Sequence, residues 1–430
     1  MFDKELVEKI REAFPRAEKD FNGRERAFFD NGTGTLVVKR AAEAEAEARI
    51  NCSANIGGVF NESKQAEAII KAGREDIADF INAPSSETII SGESATSLVF
   101  NISYALGKDL TGKENIVTTN YEHYTNVSPW EELVERGKIK EVRYAKLNMG
   151  DGTIDLDHLD ELIDENTKIV AVTAASNMLG TKSPLKIICK MARKVGAYFF
   201  VDAVHQIVHG LVDVQALDCD FLVFSAYKLF SSHGSFLYGK KELLETLKPF
   251  KVKTAPTSVP GKFEWGTRNQ AMFAAITGVM EHFQWIAKEV QDKYEGRFME
   301  YEGRRRELRI AMDAIEQNEK GLSKAVLIGF DGVPGLLKIP EVTVYGITGL
   351  ERLDERVPTF SFEVEGIEGE EVARRLWEEG NIAARSGHFY SLAQDVHNKQ
   401  KVVRISLVQY NTLEEVRTFL IVLKKICTDK

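Results

Sequence analysis

Between residues 87 and 239 the chain repeats one pattern, a short β-rich run followed by a stretch long enough for a helix. The runs are TIIS at 88–91, NIVTT at 115–119, VRYAKL at 142–147, KIVAVTAAS at 168–176, AYFFVDA at 197–203, DFLVFSA at 220–226 and SFLYG at 235–239. Several are apolar on both faces rather than alternating. A strand of that kind sheds water on both sides, so it sits inside a sheet with helices above and below. Residues 173–203 make a complete strand–helix–strand unit. Its helix, PLKIICKMARKVG, opens at Pro184, where a missing N–H costs nothing, and stops at Gly196. The pattern predicts an α/β fold around a mainly parallel sheet.

The later chain reads differently. After about residue 294 come a long charged helix, a strand TFSFEV (359–364), a helix GEEVARRLWEEG (369–380), a strand VVRISL (402–407) and a last helix from Thr412. Few strands with helices on one side predict a small α+β domain. The expected division is an N-terminal helical segment (1–25) packing with the small domain, a large domain (26–293) and the small domain (294–430). A chain of 430 residues, 43% hydrophobic and 28% charged, is long enough for both cores. Its net charge is −9, with Lys and Arg scattered among acids, so nothing grips nucleic acid or anionic lipid. No apolar run approaches bilayer length, and the start MFDKELVEKIREAFPRAEKD has no apolar signal region; a cytoplasmic protein with no membrane partner is expected. Cys52, Cys189, Cys219 and Cys427 form no CxxC pair, which gives no support to a zinc cluster or a disulfide framework.

Open parallel sheets bind ligands at the carboxyl ends of their strands. Four such ends carry chemistry. In IISGESATS a helix begins at Ser94, Ala95 and Thr96; free amides there favour a phosphate, and a plain N-cap gives the same pattern. In FFVDAVHQ, Asp202 ends the most apolar strand. A buried carboxylate needs a cation, such as a protonated pyridine nitrogen; a helix cap is the alternative. His205 lies three residues on and, with His209, makes an HxxxH spacing, but the Glu of a zinc-protease HExxH is missing and no metal is expected. In FSAYKLFSSHGS, Lys228 follows a strand beside Ser225 and Tyr227. The charge-poor surroundings favour the neutral amine that a Schiff base requires. In TTNYEHYTNVSPW, His123 follows a strand and is placed either to stack on a flat ring or to serve as a satisfied polar residue near the core.

With these residues in hand, the chain resembles the class V aminotransferase group of fold-type I pyridoxal 5′-phosphate (PLP) enzymes, in its cysteine desulfurase-like branch. The resemblance rests on YEHYTNVSPW, ASNMLGT, VDAVH, DVQALDCDFLVFSAYK, EWGTRNQ, ARSGHFYS and VVRISLVQYNT, and runs from FFDNGTGT to the last helix. It implies a large domain with a seven-stranded sheet and a small C-terminal domain. It implies PLP bound covalently to Lys228, Asp202 on the pyridine nitrogen and His123 stacked on the ring. Asn177 and His205 would lie near the ring hydroxyl, although relatives often carry Gln at the second place. Ser94, Ala95, Ser225 and Tyr227 would hold the phosphate, with Tyr227 where many relatives have His. Thr267 would reach that phosphate from a second subunit, which makes a homodimer. Arg404, and less directly Arg385, would grip the carboxylate of a small amino acid, a task suited to a planar fork of donors.

One departure bears on the reaction. Desulfurases carry a nucleophilic cysteine in the loop matching RSGHFYS, and this chain has Tyr390 there. No persulfide forms at that place, so desulfurase activity is expected to be weak or absent, and Cys52 in INCSANIGG is the thiol that remains to approach the site. With Lys228 as general base at the α-carbon, the open outcomes are a carbon–sulfur (β-elimination) lyase, an aminotransferase, and an epimerase or racemase; a PLP-binding scaffold with little turnover is the non-enzymatic alternative.

Overall fold

The computed structural model describes residues 1–398 and 402–429. The seven β-rich runs form one sheet: β1 (Ile89–Gly92), β2 (Asn115–Thr119), β3 (Glu141–Ala145), β4 (Thr167–Thr173), β5 (Tyr198–Asp202), β6 (Phe221–Ser225) and β7 (Ser235–Gly239). Their order is β1-β7-β6-β5-β4-β2-β3. Only β7 runs against its neighbours; the other pairs are parallel. Successive residues feed two cores. Val170, Val172, Val201, Leu222 and Phe224 join one, and Ile169, Ala171, Phe200, Phe221 and Val223 join the other. This is why the runs show no polar face. The apolar run at 168–176 outlasts its strand, because the chain turns at Ser176, whose carbonyl accepts from the Gly180 amide.

The winding places the site. From β2 the chain moves outward to β3, then returns to lay β4 on the other side of β2 and continues through β5 and β6. Such a reversal opens a crevice at the carboxyl ends of the strands.

The C-terminal part has its own antiparallel sheet: β8 (Val342–Tyr345), β9 (Thr359–Val364), β10 (Arg385–Ser386) and β11 (Val403–Ser406), in the order β8-β9-β11-β10. Helices Gly369–Gly380 and Leu413–Thr428 bury Val372, Leu376, Phe419 and Leu423 against Phe360, Phe362, Val403 and Ile405. The long helix Gly303–Ile328 serves both parts, giving Leu308 and Ile315 to one core and Leu322 and Val326 to the other. The N-terminal helix Lys4–Glu12 buries Leu6 and Ile10 in the first core, while its Arg11 bonds Glu415 at 2.8 Å. Among the described residues no helix is long and apolar enough to cross a membrane.

Candidate active site

The ends of β1, β2, β4, β5 and β6 turn their next residues into one cleft. After β6, a single 3-10 turn at Ala226–Lys228 places Lys228 over the sheet edge. Asp202 closes β5, His123 and Asn177 follow β2 and β4, and the helix Ala95–Gly107 starts just beyond β1. The cleft, about 500 Å³, is lined by Ser94, Ala95, Thr96, His123, Asn177, Asp202, His205, Ser225, Tyr227 and Lys228. Thr125, Thr173, Ala175 and Val204 complete the lining.

Lys228 is 7% exposed, and its Nζ donates to the Gly32 carbonyl at 2.9 Å. Burial, reinforced by the charge of Arg404, lowers its pKa to about 8, against the opposite pull of Asp202 and Asp30. A substantial part of the amine is therefore neutral near pH 7 to 8, the form that attacks a carbonyl. Asp202 is 2% exposed. The Val204 amide donates to its Oδ1 at 2.9 Å, and among the described residues no other hydrogen bond reaches the carboxylate. Burial raises its pKa to about 6, although the Val204 amide and Lys228 oppose the shift. A carboxylate this deep and this short of partners lacks a cation.

His123 accepts from the Thr125 amide through Nδ1 at 3.1 Å. Burial, then Lys228, Arg404 and His388, push its pKa down to about 4, so the imidazole is a neutral flat ring. At the far end, Ser94 caps the helix by accepting from the Ser97 amide. The Ala95 and Thr96 amides of the first turn have no carbonyl four residues back to bond. The Thr96 and Thr125 hydroxyls lie 2.9 Å apart. Ser225 shares a 3.0 Å hydrogen bond with Ser235, and the Tyr227 ring stacks on His233 at 5.3 Å.

Other expected residues stand elsewhere. Arg404, on β11, is fully buried beside the cleft and covered by the Phe389 ring at 4.0 Å. Its Nη1 donates to the Asn177 carbonyl at 3.0 Å, its Nη2 to Thr33 Oγ1 at 2.7 Å, and among the described residues its Nε has no acceptor. A Cβ at Gly32 would approach the Arg404 guanidinium to 3.0 Å, so that side chain would have to give by a few tenths of an ångström. Arg385 lies outside the cleft, exposed and paired with Asp30 at 2.8 Å. Thr267 is exposed in a second cleft, with Asn55, Ile56, Val252 and Trp265. Asn177 lines the cleft, but its Nδ2 is spent on the Phe389 carbonyl at 2.9 Å. Cys52, the candidate thiol, lines a separate groove with Asn51 and Ala274 and is not among the residues around Lys228. The HxxxH pair serves two partners: His205 Nε2 meets Thr359 Oγ1 at 2.9 Å, and His209 Nδ1 meets Glu319 at 2.9 Å. Tyr390 is 66% exposed, in the left-handed region (φ 55°), with its ring 6.1 Å from His123.

Sequence reasoning missed Thr125 and the hydroxyls behind His205. Thr125 had a signal, two positions after His123; Thr359 and Ser406 had none, because only the pairing of β9 with β11 brings them there.

The cleft fits PLP in its donor chemistry. It offers an amine of lowered pKa, a buried carboxylate that lacks a cation, a neutral flat ring, and unbonded amides with hydroxyls at one end. Fold and site together define a PLP-dependent enzyme of fold type I. The chain belongs to the aminotransferase class-V family, whose profile matches residues 27–306 and 307–419, and falls in its cysteine desulfurase-like branch. It is 30% identical to the cysteine desulfurase of Pectobacterium carotovorum subsp. carotovorum (strain PC1) over 436 residues, covering 98% of each chain. It is also 30% identical to the cysteine desulfurase of Escherichia coli O9:H4 (strain HS), again over 436 residues and 98% of each. The apo structure of the cysteine desulfurase from Thermococcus onnurineus NA1 matches with a TM-score of 0.84 and 27% identity, over 100% of this chain and 99% of that one.

Proposed function

We propose that this enzyme is a lyase that breaks the Cβ–S bond of a cysteine-like amino acid. The observation that carries the reading is the buried Lys228 amine, in one cleft with Asp202 and next to Arg404. When bound, PLP supplies an electron sink for the Cα–H bond. Asp202 would answer the charge of a protonated ring nitrogen, and His123 would cover the ring face. Ser94, Ala95, Ser225 and Tyr227 hold the phosphate, joined by Thr96 and Thr125. Asn177 and His205, which line the cleft, would flank the edge that carries the ring hydroxyl. Lys228 takes the α-proton as general base and passes it to the departing sulfur. Arg404 receives the substrate carboxylate, and its buried Nε, without an acceptor among the described residues, is the donor available for it. Arg385 stands further out as a second cation.

Tyr390 bears on the fate of the sulfur. Its phenol holds none, so sulfur leaves as free sulfide. One cysteine and one water then give one pyruvate, one ammonia and one hydrogen sulfide. Thr267 serves the cleft of a second copy, and a homodimer would also cover Ile56, Val252 and Trp265 beside it. The cytoplasm suits four buried thiols that lie in no disulfide and stay reduced there.

The test is to incubate the loaded protein with a panel of amino acids. Pyruvate and sulfide in equal amounts from cysteine support the lyase. A keto acid that keeps its side chain, with the cofactor left in its amine form, identifies an aminotransferase. Inversion at Cα identifies an epimerase. A spectrum that no amino acid changes identifies a binding scaffold.

A further inference from the structure

His205 is the residue at which this chain departs from the usual Gln, and the fold surrounds it with a buried hydrogen-bond chain. Its Nε2 lies 2.9 Å from Thr359 Oγ1, and Thr359 Oγ1 lies 2.7 Å from Ser406 Oγ. Thr359 and Ser406 are wholly buried. They are direct partners in the pairing of β9 with β11, so the two hydroxyls meet because of strand register. His205 also lines the cofactor cleft. With Nε2 turned to the small domain, Nδ1 is the nitrogen left for the cleft; among the described residues nothing bonds it.

Proton accounting decides the direction of this chain. Suppose Nε2 carries the hydrogen. It then donates to Thr359, Thr359 donates to Ser406, and the Ser406 hydroxyl hydrogen has no acceptor among the described residues. A buried donor without an acceptor is costly. In the reverse direction Ser406 donates to Thr359, Thr359 donates to the Nε2 lone pair, and every hydroxyl hydrogen is used. The imidazole hydrogen then sits on Nδ1. A neutral ring has only one such hydrogen. The groups that face the ring, His209, Lys228 and Arg404, together with burial, hold it well below the usual imidazole range, so it stays neutral. His209, whose ring lies 5.3 Å away, has its own Nδ1 engaged by Glu319.

We propose that Ser406 and Thr359 form a hydroxyl relay that fixes the tautomer of His205, so that Nδ1–H stands as a permanent donor to the ring oxygen of the bound cofactor. The proposal rests on the reading that His205 flanks the ring hydroxyl. The relay does for imidazole what an amide group does without help, since an amide nitrogen always donates. Thr359 and Ser406 are positioning residues: they act through His205. Hydrogen bonding to an ionised oxygen favours that form.

The experiment is nitrogen NMR of the full chain with 15N-labelled histidine, with and without cofactor, the His205 signal being identified by its loss in His205→Gln. The expected wild-type result is hydrogen on Nδ1 in both states. Thr359→Val should reduce that preference by roughly tenfold, the worth of one ordinary hydrogen bond, and Thr359→Ser should restore it. In the loaded protein, Thr359→Val should raise the apparent pKa of the cofactor absorbance by roughly half a unit, and should shift nothing in a His205→Gln background. If Thr359→Val does not fold, Thr359→Ala is read instead. Hydrogen on Nε2 in the wild type overturns the proposal, whatever the variants do. So does an equal spectral shift in the His205→Gln background, which would reveal general damage to the fold. A protein that never binds PLP refutes the functional reading instead, and leaves the tautomer measurement intact.

Discussion

Replacing Asp202 by Asn should make the cofactor-free protein more stable and the loaded protein worse. Asn keeps the shape and still accepts from the Val204 amide. What it removes is a charge that the buried site must tolerate until a cation arrives. The carboxyl pKa is raised from 3.8 to about 6. For a group raised on folding, the stabilising contribution is full below the unfolded value and is lost as pH climbs through the folded one. The window is therefore about pH 4 to 6. At pH 7 the shift corresponds to about 3 kcal/mol, at 1.36 kcal/mol per unit. That is an upper value, since Lys228 loses a nearby anion in the variant. The assay is denaturant unfolding of both cofactor-free proteins from pH 4 to 8. The Asn variant should gain most above pH 6, and the gap should nearly close at pH 4. PLP affinity should fall by roughly 10- to 100-fold, the loss of one charged hydrogen bond. A variant no more stable than wild type at pH 7, or a gap that widens on acidification, would refute the reasoning.

Lys228→Ala should abolish covalent retention of PLP after borohydride reduction and lower turnover by at least about a thousandfold; retained label, read by mass spectrometry, would move the attachment elsewhere. Arg404→Ala should raise KM for the amino acid by roughly 10- to 100-fold while PLP stays bound, measured by steady-state kinetics beside the cofactor spectrum. Tyr390→Cys places a thiol at an exposed position of the loop. Sulfur released from cysteine should then be found partly on the protein, by persulfide labelling, whereas wild type releases all of it as sulfide.

The sheet was legible because burial on both faces leaves a composition signal in the strands themselves. Ser94, His123, Asp202 and Lys228 were legible for a related reason: Asp202 closes a strand, the others follow one, and a parallel sheet gathers strand ends without further instruction. Contacts set by packing were not legible. Nothing near Asn177 announces that its amide belongs to the Phe389 carbonyl, 212 positions away. Nothing near Arg385 says that Asp30 holds it outside the cleft. Cys52 reads as a thiol able to approach the site until the fold places it in another groove. The relay behind His205 joins positions 205, 359 and 406, and such a triple leaves no local trace.

Arg404 and Ser406 are two residues apart on β11, so both project from the same face of that strand. On the proposed roles of Arg404 and Ser406, one ribbon would present an anion grip and a hydroxyl that steers an imidazole hydrogen. Slipping its pairing by one residue would turn both away together. On those roles, a backbone shift that retuned substrate anchorage would also disturb cofactor electronics, and side-chain exchange would be the route left for separating the two.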